Sequence, residues 1–354
     1  MTMDNNTGIR DVAVIGAGIS GLRAAETLRK AGLDVVVLEK SRGLGGRAAT
    51  RRITDGEGVE LRVDHGAQFF TARDPRFREQ VARWQEEGIC FPWSEGFHTW
   101  SEGSLRDPDP QWKETRYACR DGMNRLGKAL VDGITVLPEY QVSSATFSGG
   151  EWLLESDPVH SEGAVRARSL MISAPLPQAL RLVGGHLDAE QGDLLSRISC
   201  GPCIAVMARY RDGTPDPAWK GIQIRDPESP LSWMAWDGSR RHSGAHGSVA
   251  VLHGSPSFSE RWLEAGKEDL RRAGQDLLTA AARIDGEWLA SPEEFFVHRW
   301  RYAHPAGPSA PGGFLHIHGS RLWLIGDGLN GGRVEGAWLS GLFAAEELLA
   351  LRHS

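Results

Sequence analysis

The sequence predicts an α/β protein with one domain built on a parallel sheet and a second domain containing a mainly antiparallel sheet and helices. An apolar run at residues 12–15 is typical of a buried parallel strand. Apolar residues then recur at helical spacing over 22–28, and a second apolar run follows at 33–38. Alternating segments over 198–254 are typical of antiparallel strands. The strand, helix and strand at the start predict a Rossmann-type unit.

A glycine motif joins the first strand to the helix. Residues 16–21 read Gly-Ala-Gly-Ile-Ser-Gly and fit the pattern GxGxxG. Gly16 permits the tight turn, Gly18 lets a pyrophosphate approach the backbone, and Gly21 lets the helix pack closely on the strand. Glu39, at the end of the second strand, can accept hydrogen bonds from both ribose hydroxyls. A glycine turn alone can be structural, but in this context it predicts a dinucleotide site.

A second glycine-rich loop follows, with Gly43, Gly45, Gly46 and Arg47. A plain NAD-binding domain does not need such a loop. It can close over the same pyrophosphate, and Arg47 can add charge-assisted hydrogen bonds. The loop resembles the second motif of the two-dinucleotide-binding flavoproteins, the amine oxidase and glutathione reductase superfamily. That resemblance implies FAD as the cofactor.

Composition and charge exclude several classes of function. The chain has 354 residues, with 24% charged and 40% hydrophobic, as expected for a globular protein with a sizeable core. A formal net charge of −6 argues against non-specific nucleic-acid binding. No stretch approaches the length that crosses a bilayer, and residues 1–8 lack the basic start of a secretory signal. A cytoplasmic location is therefore expected.

The cysteines and histidines do not predict a redox or metal centre. Cys200 and Cys203 copy the spacing of a thioredoxin dithiol, but the residues after them alternate like a strand, which favours a structural role. Two groups of histidines lack convincing ligand spacing: His242, His246 and His253, and His316 with His318. No metal is expected.

The order of segments predicts a discontinuous architecture, because strands typical of the nucleotide domain occur at both ends of the chain. The predicted FAD-binding domain comprises residues 1–75, 115–175 and 300–354. The predicted substrate domain comprises 76–114 and 176–299.

Three helices are predicted in the middle of the chain. Asp74 caps a helix that has Pro75 at its first position. Residues 121–130 predict a second helix, and 260–284 predict a long amphipathic one.

The C-terminal stretch 323–341 resembles the closing motif of flavin amine-oxidase-like proteins. In that superfamily the acidic residue after Gly326, here Asp327, contacts the ribityl or phosphate region. The following helix points its N-terminus at the flavin pyrimidine. No cysteine precedes this helix in a position to tether the flavin, so non-covalent binding is expected. The overall fold implied is that of p-hydroxybenzoate hydroxylase and the amine oxidases.

Three further blocks, 40–47, 64–77 and 298–307, resemble renalases, especially the bacterial forms. The resemblance implies oxidation of 2- or 6-dihydro-NAD(P) isomers to NAD(P)+ by hydride transfer to flavin N5. O2 is then the acceptor and gives H2O2. Such chemistry needs little acid–base help, since the protein mainly orients a nicotinamide ring.

The resemblance also assigns site residues. Gln68, Phe69 and Phe70 are expected near the isoalloxazine, and His298, Trp300 and Tyr302 on the opposite wall, although core packing explains the aromatic residues equally well. The catalytic candidates are Gln68, Phe70, His298, Trp300 and Tyr302. The cofactor-binding candidates are Gly16, Gly18, Ile19, Ser20, Gly21, Glu39, Lys40, Gly45, Gly46, Arg47, Gln68, Phe69, Phe70, Val142, Gly326, Asp327, Arg333, Val334, Glu335 and Ala337.

Two other functions remain open. One is a flavin amine oxidase or desaturase with another small or apolar substrate, and the other is a flavin-binding protein without turnover. The small residues 328–331 leave the shape of the substrate pocket open. The expected partners are a dihydronicotinamide nucleotide and O2, without nucleic acid or membrane, and the expected state is a monomer or weak homodimer.

Overall fold

The computed structural model of the protein describes residues 8–54, 58, 60–111, 113–157, 163–211, 214, 216–241 and 248–353. The chain divides into two compact units. Unit 1 is formed by the segments Met1–Gly46, Leu126–Cys200 and Pro305–Ser354. Unit 2 is formed by the segments Arg47–Arg125 and Gly201–His304. These units are defined by contacts between residues. The predicted FAD-binding and substrate domains were defined by function, and their boundaries stay a prediction.

Strands and helices are numbered in chain order, and several runs of strands, such as β5 to β8, follow one another without an α-helix between them. The strands are β1 (Arg10–Ile15), β2 (Val35–Glu39), β3 (Thr50–Thr54), β4 (Glu60–Asp64), β5 (Phe91–Ser94), β6 (His98–Ser101), β7 (Ser104–Arg106), β8 (Arg116–Ala118), β9 (Thr135–Pro138), β10 (Val142–Ser148), β11 (Glu151–Ser156), β12 (Ala164–Ile172), β13 (Ser199–Arg209), β14 (Gly221–Ile224), β15 (Leu231–Trp236), β16 (Val249–Gly254), β17 (Glu294–Ala306), β18 (Leu315–Ile317) and β19 (Leu322–Leu324). The helices are α1 (Ile19–Lys30), α2 (Pro75–Glu86), α3 (Arg125–Ala129), α4 (Leu176–Val183), α5 (Ala189–Ser196), α6 (Pro256–Arg261), α7 (Lys267–Asp285) and α8 (Val334–His353).

Unit 1 is built on one sheet in the order β10-β11-β12-β1-β2-β9, with β19 added to β12 and β18 added to β19. The pairs β12–β1, β1–β2, β2–β9 and β12–β19 are parallel. Residues of β2 are all buried, as are the last four of β1, which explains why both are apolar apart from Glu39 at the end of β2. Helix α1 follows β1 directly, with Gly18 as its N-cap. The predicted Rossmann-type unit is confirmed.

Unit 2 contains a sheet in the order β17-β13-β16-β15-β14-β6-β7. The pairs β13–β16, β16–β15, β15–β14 and β6–β7 are antiparallel, and β14–β6 is parallel. Helix α7 contributes Leu277, Leu278 and Ala281 to a core shared with the apolar faces of β13 and β16. The predicted mainly antiparallel sheet with helices is confirmed.

Two predicted helices differ from the observed ones. The helix predicted at 260–284 is two helices, α6 and α7, because the chain turns after Arg261 and Gly266 caps a new start. The helix predicted at 121–130 is reduced to α3, since Gly122 has φ +99°, outside helical backbone. The Met123 N–H donates to the Asp64 carboxylate instead.

Other local predictions are confirmed. Asp74 accepts a hydrogen bond from the Arg76 N–H at the start of α2, and Pro75 is the first residue of that helix. Cys200 and Cys203 lie on β13, so the CxxC motif is on a strand rather than at a helix N-terminus. Among the described residues, no helix is long and apolar enough to cross a membrane.

Close packing of α1 on α8 predicts a test of the fold. A Cβ on Gly341 would lie 2.1 Å from the Ser20 carbonyl oxygen, so Gly341→Ala must push the two helices apart. We expect Gly341→Ala to lower the free energy of unfolding by about 1–3 kcal/mol in urea denaturation. Gly192→Ala, in α5 with no atom within 4 Å of the added methyl, is the control and should stabilise by up to about 1 kcal/mol. Equal stability of the two variants would contradict this packing.

Candidate functional site

The first glycine turn of unit 1 forms a tight cradle. Gly16 has φ +102°, a conformation that favours glycine. A Cβ on Gly21 would lie 2.1 Å from the Gly16 carbonyl oxygen, so α1 packs directly on the turn. Gly18 is different, because no atom lies within 4 Å of the position of a Cβ there. The turn is therefore closed on its helix side and open at Gly18.

The second glycine loop lies against the first. The Gly45 N–H donates to the Ala17 carbonyl oxygen at 2.8 Å, and Gly45 forms a parallel bridge with Gly18. A Cβ on Gly46 would be 3.2 Å from the Gly18 Cα, and a Cβ on Gly127 would be 2.9 Å from the Gly45 Cα. The two loops thus meet backbone to backbone beside the N-terminus of α1, the end of a helix that favours a phosphate.

Glu39 is fixed beside the first turn. Its side chain is buried, and its Oε2 accepts the Ala17 N–H at 2.7 Å. Its Oε1 accepts the N–H and the hydroxyl of Ser41, at 2.8 and 2.6 Å. A carboxylate offers about four acceptor positions. The three bonds therefore leave capacity for a ribose hydroxyl.

Ser20 has a buried hydroxyl group next to the first glycine turn. It lies in the first turn of α1 and is 4% exposed, and its Oγ has no hydrogen-bond partner among the described residues. The open space at Gly18, this unpartnered hydroxyl and the α1 N-terminus fit the pyrophosphate of FAD. Ile19 is the first residue of α1 and is buried.

Two predicted cofactor residues of unit 1 lie in different settings. The Lys40 Nζ is exposed and donates to Gln178 Oε1 at 3.3 Å. Val142 begins β10, pairs with Ser156 and packs on the core of the sheet.

The C-terminal motif forms a compact turn before α8. The Gly326 N–H donates to Ser340 Oγ at 2.9 Å, and a 3-10 turn spans Asp327–Leu329. A Cβ on Gly336 would lie 1.9 Å from the Asn330 carbonyl oxygen, so the turn packs on the first turn of the helix. The remaining predicted residues here are Arg333, which directly precedes α8, and Val334, Glu335 and Ala337 within it.

The predicted aromatic residues of unit 2 are packed against other rings. Phe70 is 3% exposed and lies 5.5 Å from Tyr117 and 5.9 Å from Phe77, measured between ring centroids. Phe69 lies 4.9 Å from Phe97. The side chain of Phe70 is therefore part of a core, which was the alternative interpretation in the sequence analysis.

His65, His298 and Trp300, together called the ring cluster, lie in mutual contact in unit 2. The ring centroids are separated by 4.6 Å for His65 and His298, 5.1 Å for His65 and Trp300, and 4.5 Å for His298 and Trp300. The Trp300 Nε1 donates to the His65 carbonyl oxygen at 2.9 Å. Tyr302 lies two residues further along β17, on the face that His298 and Trp300 share.

The histidines of this region are held neutral. Burial, together with His298 and Arg51, lowers the pKa of His65 to about 3. Burial and then Arg51 lower the pKa of His298 to about 4. Burial and the neighbouring His304 and His65 lower the pKa of His253 to about 3, and its Nε2 lies 3.2 Å from the His65 carbonyl oxygen. At neutral pH the ring cluster carries no charge.

Asp64, Asp237, Arg240 and Arg241 form what we call the ion cluster, which the sequence analysis missed. Each is at most 9% exposed. Arg241 donates to Asp237 Oδ1 at 2.7 Å and to Asp64 Oδ2 at 2.9 Å. Burial opposes the charge of Arg241, but Asp237 and Asp64 raise its pKa above the usual value. The sequence pattern that could have indicated this cluster is the position of the two arginines, three and four residues after Asp237.

Gln68 is joined to this ion cluster rather than exposed to a ligand. It is 4% exposed, and its Oε1 accepts from Arg240 Nη2 at 2.9 Å. Its Nε2 donates to the carbonyl oxygens of Asp64 and Gly66. In the same unit, Arg47 donates from Nη1 to the Ala303 carbonyl oxygen at 3.3 Å.

No group of three or more histidine, cysteine or acidic side chains in the described residues is arranged to hold a metal ion. His242 and His246, considered in the sequence analysis, lie outside those residues.

The fold and the glycine cradle define an FAD-dependent oxidoreductase class, and comparison with known proteins gives the family. A family model for NAD(P)-binding Rossmann-like domains matches residues 14–84, and the model for flavin containing amine oxidoreductases matches residues 85–349. The chain belongs to the family of flavin-containing amine oxidoreductases. This confirms the predicted fold class, FAD as the expected cofactor, and the class of enzyme.

The curated relatives match over short stretches. Lysine-specific histone demethylase 1 homolog 1 of Arabidopsis thaliana is 44% identical over 61 residues, which are 17% of this chain and 7% of that protein. (S)-6-hydroxynicotine oxidase of Paenarthrobacter nicotinovorans is 36% identical over 74 residues, which are 21% of this chain and 17% of that protein.

Solved structures match over nearly the whole chain. Cyclohexylamine oxidase from Brevibacterium oxydans has a TM-score of 0.71 at 16% identity and covers 98% of this chain and 100% of that one. Putrescine oxidase bound to putrescine has a TM-score of 0.67 at 17% identity and covers 97% of this chain and 99% of that one. At such identities the likeness shows the fold alone.

The open position at Gly18 predicts a separation of folding from cofactor binding. Gly18→Ala has space for its methyl and an ordinary φ of −75°, so the thermal unfolding midpoint of the flavin-free protein should change little. The methyl occupies the space assigned to the pyrophosphate, so FAD affinity in a fluorescence titration should fall by about tenfold or more. Gly21→Ala is the control and should lower the midpoint itself. Unchanged FAD affinity in Gly18→Ala would contradict the assignment.

The lowered histidine pKa values predict acid sensitivity. In the unfolded chain these histidines regain a pKa of about 6.5 and bind protons that the folded state excludes. The free energy of unfolding should therefore decrease as the pH falls from about 6.5 towards about 4, the pKa of folded His298. Urea midpoints at several pH values measure this, and His298→Gln should flatten the dependence. A variant with the wild-type slope would contradict a neutral His298.

Proposed function

We propose that the protein is an FAD-dependent oxidase of renalase type. It would convert 2- or 6-dihydro-NAD(P) isomers to NAD(P)+, with O2 as the acceptor and H2O2 as the second product. We further propose that it acts in the cytoplasm as a monomer or weak homodimer.

The neutral ring cluster is the observation that carries this proposal. His65 and His298 are uncharged at neutral pH, and the charged group that lowers both pKa values is the cation of Arg51. An alkylamine arrives mostly as a cation, which such surroundings disfavour. A dihydronicotinamide ring is uncharged and planar, so it can stack on imidazole and indole rings. Its phosphates carry negative charge that Arg51 would attract.

We assign cofactor binding to residues of unit 1 and substrate orientation to residues of unit 2. The cofactor would be bound in unit 1 by the glycine turn at Gly16–Gly21, Glu39, the loop at Gly45 and the N-terminus of α8. When bound, FAD supplies the two-electron acceptor for the hydride that leaves the substrate. In unit 2, His298, Trp300 and Tyr302 would stack and orient the substrate ring. His65 extends the same surface by its contacts with His298 and Trp300.

A second candidate is oxidation of an amine. The match of residues 85–349 to the flavin-containing amine oxidoreductases favours it, as do the folds of the putrescine and cyclohexylamine oxidases. An alkylamine is mostly a cation at neutral pH, and the uncharged ring cluster offers no anion to pair with it. Oxidation of an amine at this cluster would therefore require the amine to lose its proton.

A product assay in air tests the proposal. The purified protein is supplied with 6-dihydro-NAD, 2-dihydro-NAD, ordinary NADH, putrescine or cyclohexylamine. We expect NAD+ and H2O2 to appear in equal amounts from a dihydro isomer, with ordinary NADH a poor substrate. His298→Ala should slow this reaction by roughly tenfold through loss of ring orientation. H2O2 from an amine, with none from either isomer, would establish the second candidate instead.

A further inference from the structure

The segment 64–70 in unit 2 carries both His65 of the ring cluster and Gln68. Backbone hydrogen bonds anchor it at two places: the Ala67 N–H donates to the Arg47 carbonyl oxygen, and Phe70 and Tyr117 exchange a reciprocal pair of N–H to carbonyl bonds. His65 lies before Ala67, and its carbonyl oxygen accepts from Trp300 Nε1 at 2.9 Å. The carbonyl groups on either side of His65, those of Asp64 and Gly66, accept from Gln68 Nε2, which connects this part of the segment to the ion cluster.

Arg240 holds Gln68 at two atoms. Its Nη1 donates to the Gln68 carbonyl oxygen at 2.6 Å and its Nη2 donates to the Gln68 Oε1 at 2.9 Å. Since a guanidinium only donates hydrogen bonds, the oxygen of the Gln68 amide must face Arg240. The amide nitrogen then faces the carbonyl oxygens of Asp64 and Gly66. One residue thus fixes both the backbone and the side-chain orientation of Gln68.

The charge of Arg240 is itself balanced inside the protein. Arg240 is fully buried and donates to the Asp237 carboxylate, which also accepts from Arg241 Nε at 2.7 Å. Asp64 accepts from Arg241, from the Thr50 hydroxyl at 2.6 Å and from the Met123 N–H at 2.8 Å. Two cations and two anions cancel. Buried charges of this kind contribute little to stability compared with apolar packing, which favours a positional role.

We propose that Arg240, oriented by Asp237, is a positioning residue that fixes Gln68 and thereby sets the place of the His65 ring against His298 and Trp300. Gln68 then acts as a link between the ion cluster and the ring cluster rather than as a group that touches substrate. The catalytic consequence rests on the proposed function, whereas the conformational consequence does not.

Arg240→Lys is the sharpest test, because lysine keeps the charge next to Asp237 but cannot donate to two oxygens of Gln68 in a fixed fork. We expect amide hydrogen exchange in a peptide covering residues 64–70 to become roughly tenfold faster, as loss of a hydrogen bond to a charged group implies. Under the proposed reaction, kcat should fall while KM changes little, since the ring is misplaced and not removed.

Arg209→Lys is the matched control. Arg209 lies in the same unit and pairs with Glu293 at 2.8 Å, so it loses a comparable contact elsewhere. Its variant should leave exchange at 64–70 and kcat unchanged. Gln68→Met keeps the backbone carbonyl that Arg240 Nη1 contacts but removes the side-chain amide that Arg240 Nη2 contacts, and it should also give faster exchange. The effects of Arg240→Lys and Gln68→Met in the double variant should be less than additive, because both single variants break the contact between Arg240 Nη2 and Gln68 Oε1.

The outcomes are distinct. Unchanged exchange at 64–70 in Arg240→Lys would overturn the proposal, as would additive effects in the double variant. If Arg240→Lys does not fold, Gln68→Met decides by the same measurement. If no dihydro isomer is oxidised, the proposed function fails, while the exchange data still decide whether Arg240 positions the segment.

Discussion

The backbone contact between the two glycine loops is the constraint on which unit 1 depends. The Gly45 N–H donates to the Ala17 carbonyl oxygen, and a Cβ on Gly46 or on Gly127 would lie 3.2 Å from the Gly18 Cα or 2.9 Å from the Gly45 Cα. The absence of a side chain on glycine also lets α1 pack on the turn at Gly16 and lets α8 pack on α1 at Gly341. One side of the turn stays open at Gly18. A phosphate therefore meets main-chain N–H groups that the fold has already positioned.

Unit 2 contains both the ion cluster, whose charges are buried, and the ring cluster, whose rings are uncharged. The four ions of the ion cluster compensate one another, and Gln68 connects them to the segment that carries His65. Burial and the cation of Arg51 keep His65 and His298 unprotonated at neutral pH. In the function we propose, these neutral rings would favour an uncharged planar ring over a protonated amine.

The sequence predicted the parts of the molecule whose cause is local. The first strand, its glycine turn, α1 and the strand ending at Glu39 follow from an apolar run, glycine spacing and helical periodicity. The family match over residues 85–349 confirms the class of enzyme. The ion cluster was missed because Asp64 lies 173 residues before Asp237, and only the fold brings the two together. The break between α6 and α7 was missed because the apolar periodicity continues across Gly266. Phe70 and Gln68 illustrate a third limit: a motif places a residue near a site but does not say which way its side chain points.

Single-turnover reduction in the absence of oxygen tests the central claim most directly. The flavin-loaded protein is mixed anaerobically, at neutral pH and equal concentration, with 6-dihydro-NAD or with putrescine, and bleaching of the flavin absorbance is followed. We expect rapid bleaching by the dihydronicotinamide and slow or no bleaching by the diamine. Faster bleaching by putrescine would contradict it, because a neutral ring surface next to Arg51 should not favour a cationic substrate.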